Sequence, residues 1–191
     1  MHRSSCLNTY TLKTYALTAM KEPPRYFENS ILISATATTV ERCITELDLM
    51  TRWLNPMLSC EPDGGTWSTA IGSKSKFVVM IPFLKSGLQP TLHNIVSDRA
   101  PGLVVWDFEG FFVGTDRWQC DPVGDPLSDA VGDSMSSQSR LVTCLTNCFT
   151  FEIPNPLVRF GFNRFALSLT QTDMIAQLKR IKVVAEQLQR T

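Results

Sequence analysis

The chain has 191 residues, of which 43% are hydrophobic and 19% charged, and its 18 basic and 18 acidic side chains cancel. That length suits one domain with a substantial core, and the balance leaves no overall field to recruit nucleic acid or an anionic membrane surface. No apolar run approaches the roughly 18 residues a spanning helix needs, so the composition reads as a soluble globular protein.

Six cysteines (Cys6, Cys43, Cys60, Cys120, Cys144, Cys148) form no C-x-x-C pair. Cys144 and Cys148 sit four residues apart on one predicted strand, roughly 13 Å, too far for a disulfide. His2 and His93 are the only histidines and neither is spaced for zinc. The expectation is reduced, mostly buried thiols in the cytoplasm, with no metal. Residues 1–19 are rich in Ser and Thr, carry His2, Arg3 and Lys13, and contain no acid. A disordered N-terminal extension over 1–26 fits this composition, and organelle targeting through residues 1–19 is the alternative. A third possibility is a start at Met20.

In chain order, "SILISATA" (30–37) alternates, with Ile31, Ile33 and Ala35 on one face, which predicts a half-buried strand. "TTVE" follows, where Thr38 and Glu41 read as a capping box. Val40, Cys43, Ile44, Leu47, Met50 and Trp53 then recur at helical spacing until Pro56 stops the run. Strands are predicted at "TWSTAIG" (66–72), "SKSKFVVMI" (73–81), "PTLHNIVS" (90–97), "LVVWDFEG" (103–110) and "FFVGTDRWQC" (111–120), with turn residues between most of them. Within "LVVWDFE", Val104, Trp106 and Phe108 point inward and Asp107 and Glu109 outward.

Residues 121–139 place Asp121, Asp125, Asp129 and Asp133 every four positions with no base among them. Calcium loops want acids two apart, so this is read as a flexible hairpin insertion. A long strand resumes over 140–153. From Asn155 to Gln189 the pattern is helical, either kinked or begun by a separate short turn around Gly161, with a stripe of Met174, Ile175, Leu178, Ile181, Ala185 and Leu188.

The element order is a strand, two short helices, an antiparallel series of about six to seven strands in all, and a long C-terminal helix. With "ILISATATTVERCITELDLMTRWLNPML", and Ile31, Ile33, Ala35, Val40, Asp48 and Trp53 within it, this order resembles the helix-grip superfamily. That superfamily joins START lipid-transfer domains, the birch-pollen-allergen family and polyketide cyclase/dehydrase-like proteins. "VVWDFEGFFVGTDRWQC" and "SRLVTCLTNCFTFEIP" look like the later strands of the cyclase/dehydrase-like branch, and the resemblance covers residues 27–190. It implies an α+β domain over 27–191, a curved antiparallel sheet wrapped around the long helix. One departure is the neutral pair Thr146-Asn147, where the group often carries a charged or histidine-containing pair.

A helix that covers such a sheet without filling it leaves an apolar cavity. Trp53, Phe77, Val79, Trp106, Phe108 and Trp118 are the candidate walls, with Ile33 and Trp67 beside them, against the simpler reading that each packs a filled core. His93 and Asn147 are the candidate orienting or catalytic groups, although the pattern around His93 leaves its facing undecided and the simpler reading is a surface or hydrogen-bonded structural histidine. Arg117 and Arg140 are expected in solvent. Phe151, Phe160 and Phe162 near Arg159 and Arg164 suit transient membrane contact, or else core packing under the helix. No phosphate loop, dinucleotide-binding glycine pattern, G-x-S-x-G or H-E-x-x-H occurs, and no cofactor is called for.

The expected function is therefore binding, and carriage, of a small hydrophobic ligand such as a lipid, isoprenoid or polyketide-like molecule. The rivals are a cyclase/dehydratase with His93 as acid–base and Asn147 or Arg140 steadying an enolate, and an interaction module with a filled core.

Overall fold

The computed structural model describes residues 23–83, 85–123 and 142–191. Residues 1–22 of the expected extension, the aspartate-rich stretch from 124 to 139 and Arg140 lie outside them. Strand β1 (Arg25–Ile33) starts two residues inside the stretch assigned to the extension, because Arg25 and Tyr26 already pair with Phe151 and Thr150.

After β1 come two short helices, α1 (Ala37–Thr45) and α2 (Leu47–Trp53). Six strands follow: β2 (Leu58–Pro62), β3 (Lys74–Val79), β4 (Thr91–Ala100), β5 (Leu103–Gly110), β6 (Val113–Val123) and β7 (Val142–Glu152). The chain ends in α3 (Pro156–Gly161), a wider π turn (Phe162–Ala166) and α4 (Leu167–Leu188), one continuous helical run. The sheet order is β1-β7-β6-β5-β4-β3-β2, with every neighbour antiparallel. The curved sheet thus carries β1 and β2 at its opposite edges, and α1 and α2 bridge between them while α4 lies along the concave side. This is the α+β helix-grip architecture.

Alternation along the strands decides what faces that side. On β5, Val104, Trp106 and Phe108 are buried, as the pattern predicts. On β7, Thr143, Leu145 and Asn147 are buried, and Phe151 further along is fully enclosed. β4 carries a bulge between Val96 and Asp98, which locally bends the sheet. β6 and β7 approach so closely at Gly114 that a Cβ there would meet the Thr150 carbonyl oxygen at 1.9 Å. Only glycine fits.

Three local readings are corrected. The cap of α1 is Thr36, two residues before Thr38, with its hydroxyl accepting the Thr39 N–H at 3.0 Å. Glu41 instead reaches out of α1 to the Arg99 guanidinium and to the Gly102 N–H at 2.8 Å, clamping the helix onto the β4–β5 hairpin. Residues 66–72 form no strand, because Gly64 and Gly65 take φ of +90° and +76° and turn the chain, and the Trp67 indole docks on the Thr45 carbonyl at 2.7 Å. On α4, Ile175 is exposed, and the buried stripe runs through Met174, Leu178, Ile181, Val184 and Ala185.

The buried residues form two clusters. One gathers Ile33, Ile44, Trp53, Val104, Trp118, Leu145, Leu178 and Ile181, where α1, α2 and the second half of α4 meet the sheet. The other is aromatic, joining Phe108, Phe112, Phe151 and Phe162 with Ile153. A small domain ordinarily has one contiguous core, so the division marks where packing is interrupted.

Replacing Glu41 with Ala leaves Arg99 without its carboxylate and the Gly102 N–H without its acceptor. The expected loss is about 2 kcal/mol of unfolding free energy for a half-buried pair with one backbone bond. Urea titration should show the drop as a lower midpoint with an unchanged slope.

Candidate functional site

Between the two clusters lies a cavity of about 560 Å³. The helical run closes it with one face: Ala166 at the end of the π turn and Leu169, Thr170, Asp173, Met174 and Gln177 of α4 recur at three- and four-residue spacing and all line it. One turn later the same face becomes the Leu178–Ile181–Ala185 stripe that fills the first cluster. The helix therefore covers the sheet with its first half and packs it with its second. Met57 and Leu169 line the cavity yet stay exposed, so it reaches the surface where they border it.

The predicted walls converge. Trp53, Phe77, Val79, Trp106, Phe108 and Trp118 all line the cavity, whereas Ile33 and Trp67 belong to the packing around it. Trp53 donates its indole N–H to the Cys43 carbonyl at 2.7 Å and rests on Trp118, ring centres 5.8 Å apart. Trp67 does the same for Thr45. The two indoles thus satisfy carbonyls in the last turn of α1, which a helix broken at Glu46 leaves without partners. At the other end Phe162, from the π turn, packs edge-on to Phe112 and Phe151 at 5.1 and 5.6 Å, and Arg25 lies over its ring. Phe151 and Phe162 are consequently core residues rather than membrane contacts. Of the three proposed, Phe160 alone is exposed.

Among the polar candidates, Asn147 points inward and His93 does not. Buried Asn94 and Val96 set the parity of β4, so His93 falls on the outer face, where its half-exposed ring places Nδ1 3.1 Å from Asp63 Oδ2. It does not line the cavity, and the acid–base role considered for it has no access to a bound molecule. Asp107, Glu109 and Arg117 also lie away from the cavity, and Arg117 bonds Gln119. All five cysteines among the described residues are free. Burial pushes the thiols of Cys43, Cys60 and Cys120 up to about 11, 12 and 12, which keeps them protonated and unreactive.

The residue that sequence reasoning missed is Asp116. It lies on β6 two positions before Trp118, so the parity that turns Trp118 inward turns Asp116 inward too. That signal is present in the sequence itself. Asp116 Oδ2 accepts the Trp118 indole N–H at 2.9 Å and Oδ1 accepts Asn147 Nδ2 at 2.6 Å. Asn147 Nδ2 lies also 3.3 Å from the Arg117 carbonyl oxygen. Two acceptors on one amide nitrogen fix the orientation of that side chain. Loss of hydration pushes the Asp116 carboxyl up to about 6, and the two hydrogen bonds only partly offset it. Asp173 is the other ionisable group among the described lining residues, and it is held by Arg180 at 3.2 Å and Gln177 at 3.1 Å. No cluster of three or more potential metal ligands occurs among the described residues.

Residues 25–186 match the model of the family described as polyketide cyclase / dehydrase and lipid transport. Solved structures share the fold at low identity. One is a protein from Thermus thermophilus, 16% identical with a TM-score of 0.58, the match covering 84% of this chain and 97% of that one. A conserved protein from Geobacillus kaustophilus is 15% identical with a TM-score of 0.57, covering 85% and 96%. A START superfamily protein from Mycobacterium smegmatis is 13% identical with a TM-score of 0.53, covering 86% and 97%. No functionally curated protein matches the sequence.

The Asp116 shift carries a signed consequence for stability. Below about pH 4 the carboxyl is protonated in both states. Between about pH 4 and 6 the unfolded chain has released a proton that the fold retains, so the native state loses stability as pH rises. Above about pH 6 the whole penalty stands, at most about 3 kcal/mol. The difference in melting temperature between Asp116→Asn and the parent should therefore grow in the variant's favour from pH 4 to 7. Parallel pH profiles would remove the buried charge from the account.

Proposed function

The chain belongs to the polyketide cyclase/dehydrase and lipid transport family, and from that premise and the cavity we propose that it binds one small hydrophobic molecule, a lipid, isoprenoid or polyketide-like compound, and carries or shelters it. The observation that supports this reading most is the volume of about 560 Å³, open to the surface at Met57 and Leu169, between two halves of a divided core and walled by Trp53, Trp106, Trp118, Phe108 and Phe112. Its size falls within the range of small-molecule sites, and its walls are mostly apolar with a few polar groups, the usual composition of such sites. A filled-core interaction module would not keep such a space, since natural interiors pack with few voids larger than a water molecule.

No helix among the described residues is long and apolar enough to cross a membrane. Exposed Leu157, Phe160 and Phe165 near the start of the helical run, with Arg164 over the Phe165 ring, support transient contact with a membrane surface during loading.

A second reading has one observation behind it. Asp116, half proton-bearing near pH 6 and bordering the cavity, has the character of a general acid or base. In a cyclase/dehydratase it would take the place considered for His93, and Asp116→Asn would abolish turnover with affinity largely kept.

A neutral apolar fluorophore such as diphenylhexatriene tests the binding reading. Val79→Trp puts an indole into the cavity from the β3 wall. It should weaken uptake at least about tenfold while the melting temperature stays within a few degrees, because the added ring fills space rather than displacing neighbours. Unchanged uptake by the variant would place the bound probe elsewhere.

A further inference from the structure

The cavity has one chemically exceptional point. The acidic partner at its α4 side, Asp173, is neutralised by Arg180, and no lysine, arginine or histidine is among the described residues that line the space. Asp116 has only neutral partners, and these are spent. The single indole hydrogen of Trp118 goes to Oδ2. The Asn147 amide serves Oδ1 and the Arg117 carbonyl. A carboxylate offers about four acceptor sites, so this one, with two bonds made, has acceptor capacity left and no cation beside it. A ligand end that donates a hydrogen bond completes the shell. A protonated amine also supplies the missing charge, at low dielectric where that counts most. A ligand ending in a carboxylate would set a second anion beside the first, with no cation between them.

We propose that Asp116 determines specificity by selecting hydrophobic ligands whose polar end is a hydrogen-bond donor, a protonated amine first and a hydroxyl second, and by rejecting fatty-acid-type carboxylates. The proposal rests on the reading of this cavity as the ligand site and gives that ligand its headgroup class. Asn147 and Trp118 act as positioning residues, holding both carboxylate oxygens in place on β6.

The test uses three molecules with the same tail, dodecylamine, dodecanol and dodecanoate, each below its micelle concentration at pH 7.5. They compete with diphenylhexatriene for the full chain. The expected order is amine, then alcohol, then carboxylate, with at least about tenfold between the ends. In Asp116→Asn, checked for folding by circular dichroism, amine and carboxylate should come within about threefold of each other. A carboxylate that competes as well as the amine in the parent protein overturns the proposal without any variant. So does an order that survives in Asp116→Asn. If diphenylhexatriene binds while the order is absent, the selectivity alone fails. If neither the fluorophore nor any of the three binds, the cavity reading fails and takes the proposal with it.

Discussion

Trp53 gives its indole hydrogen to the Cys43 carbonyl, takes the Arg180 Nε–H on its own carbonyl at 2.6 Å and lays its ring against Trp118. Those three contacts tie α2 to α1, to α4 and to the sheet at one point. α1 ends at Thr45 and α2 begins at Leu47, so Glu46 alone joins them, and the indole adds a tie across the junction that fixes α2 against α1. With α2 fixed, the ring becomes the end wall of the space that α4 covers but does not fill. The structural and cavity-lining roles of Trp53 are therefore one placement seen from two sides.

The second constraint is electrostatic. Apolar walls make the interior a poor solvent for charge, and β6 nonetheless turns a carboxylate into it. Loss of hydration raises its pKa to about 6, and the hydrogen bonds from Trp118 and Asn147, which favour the charged form without neutralising it, offset that only in part. Carboxyl groups perturbed in this way cluster at functional sites. The contrast with Asp173 makes the point locally, since that acid sits at the same cavity with an arginine and a glutamine bound to it.

Much of the architecture is legible in the sequence because it rests on periodicity. The two-residue alternation of "LVVWDFE" places Trp106 and Phe108 correctly, and the irregularity expected around Gly161 appears as the short α3 and the π turn at Phe162–Ala166. What fails is governed by contacts distant in sequence. Glu41 has the spacing of a capping carboxylate, but Arg99, 58 residues away, claims it. The stretch at 66–72 has strand-like composition, but Gly64, Gly65 and the docking of Trp67 override it. The facing of His93 is ambiguous because Leu92 and Asn94 flank it without a clear alternation, and its outward parity emerges from the pairing of β4 with β3 and β5. Asp116 is readable from Trp118 by parity alone. What hides it is that an acid on a strand is ordinarily assigned to solvent.

The most direct test of the account is native mass spectrometry of the protein purified from its own source without detergent, followed by organic extraction. The expected result is a one-to-one adduct that dissociates as a small hydrophobic molecule. A bare chain mass, from a preparation that also takes up no apolar molecule when one is offered, would contradict it.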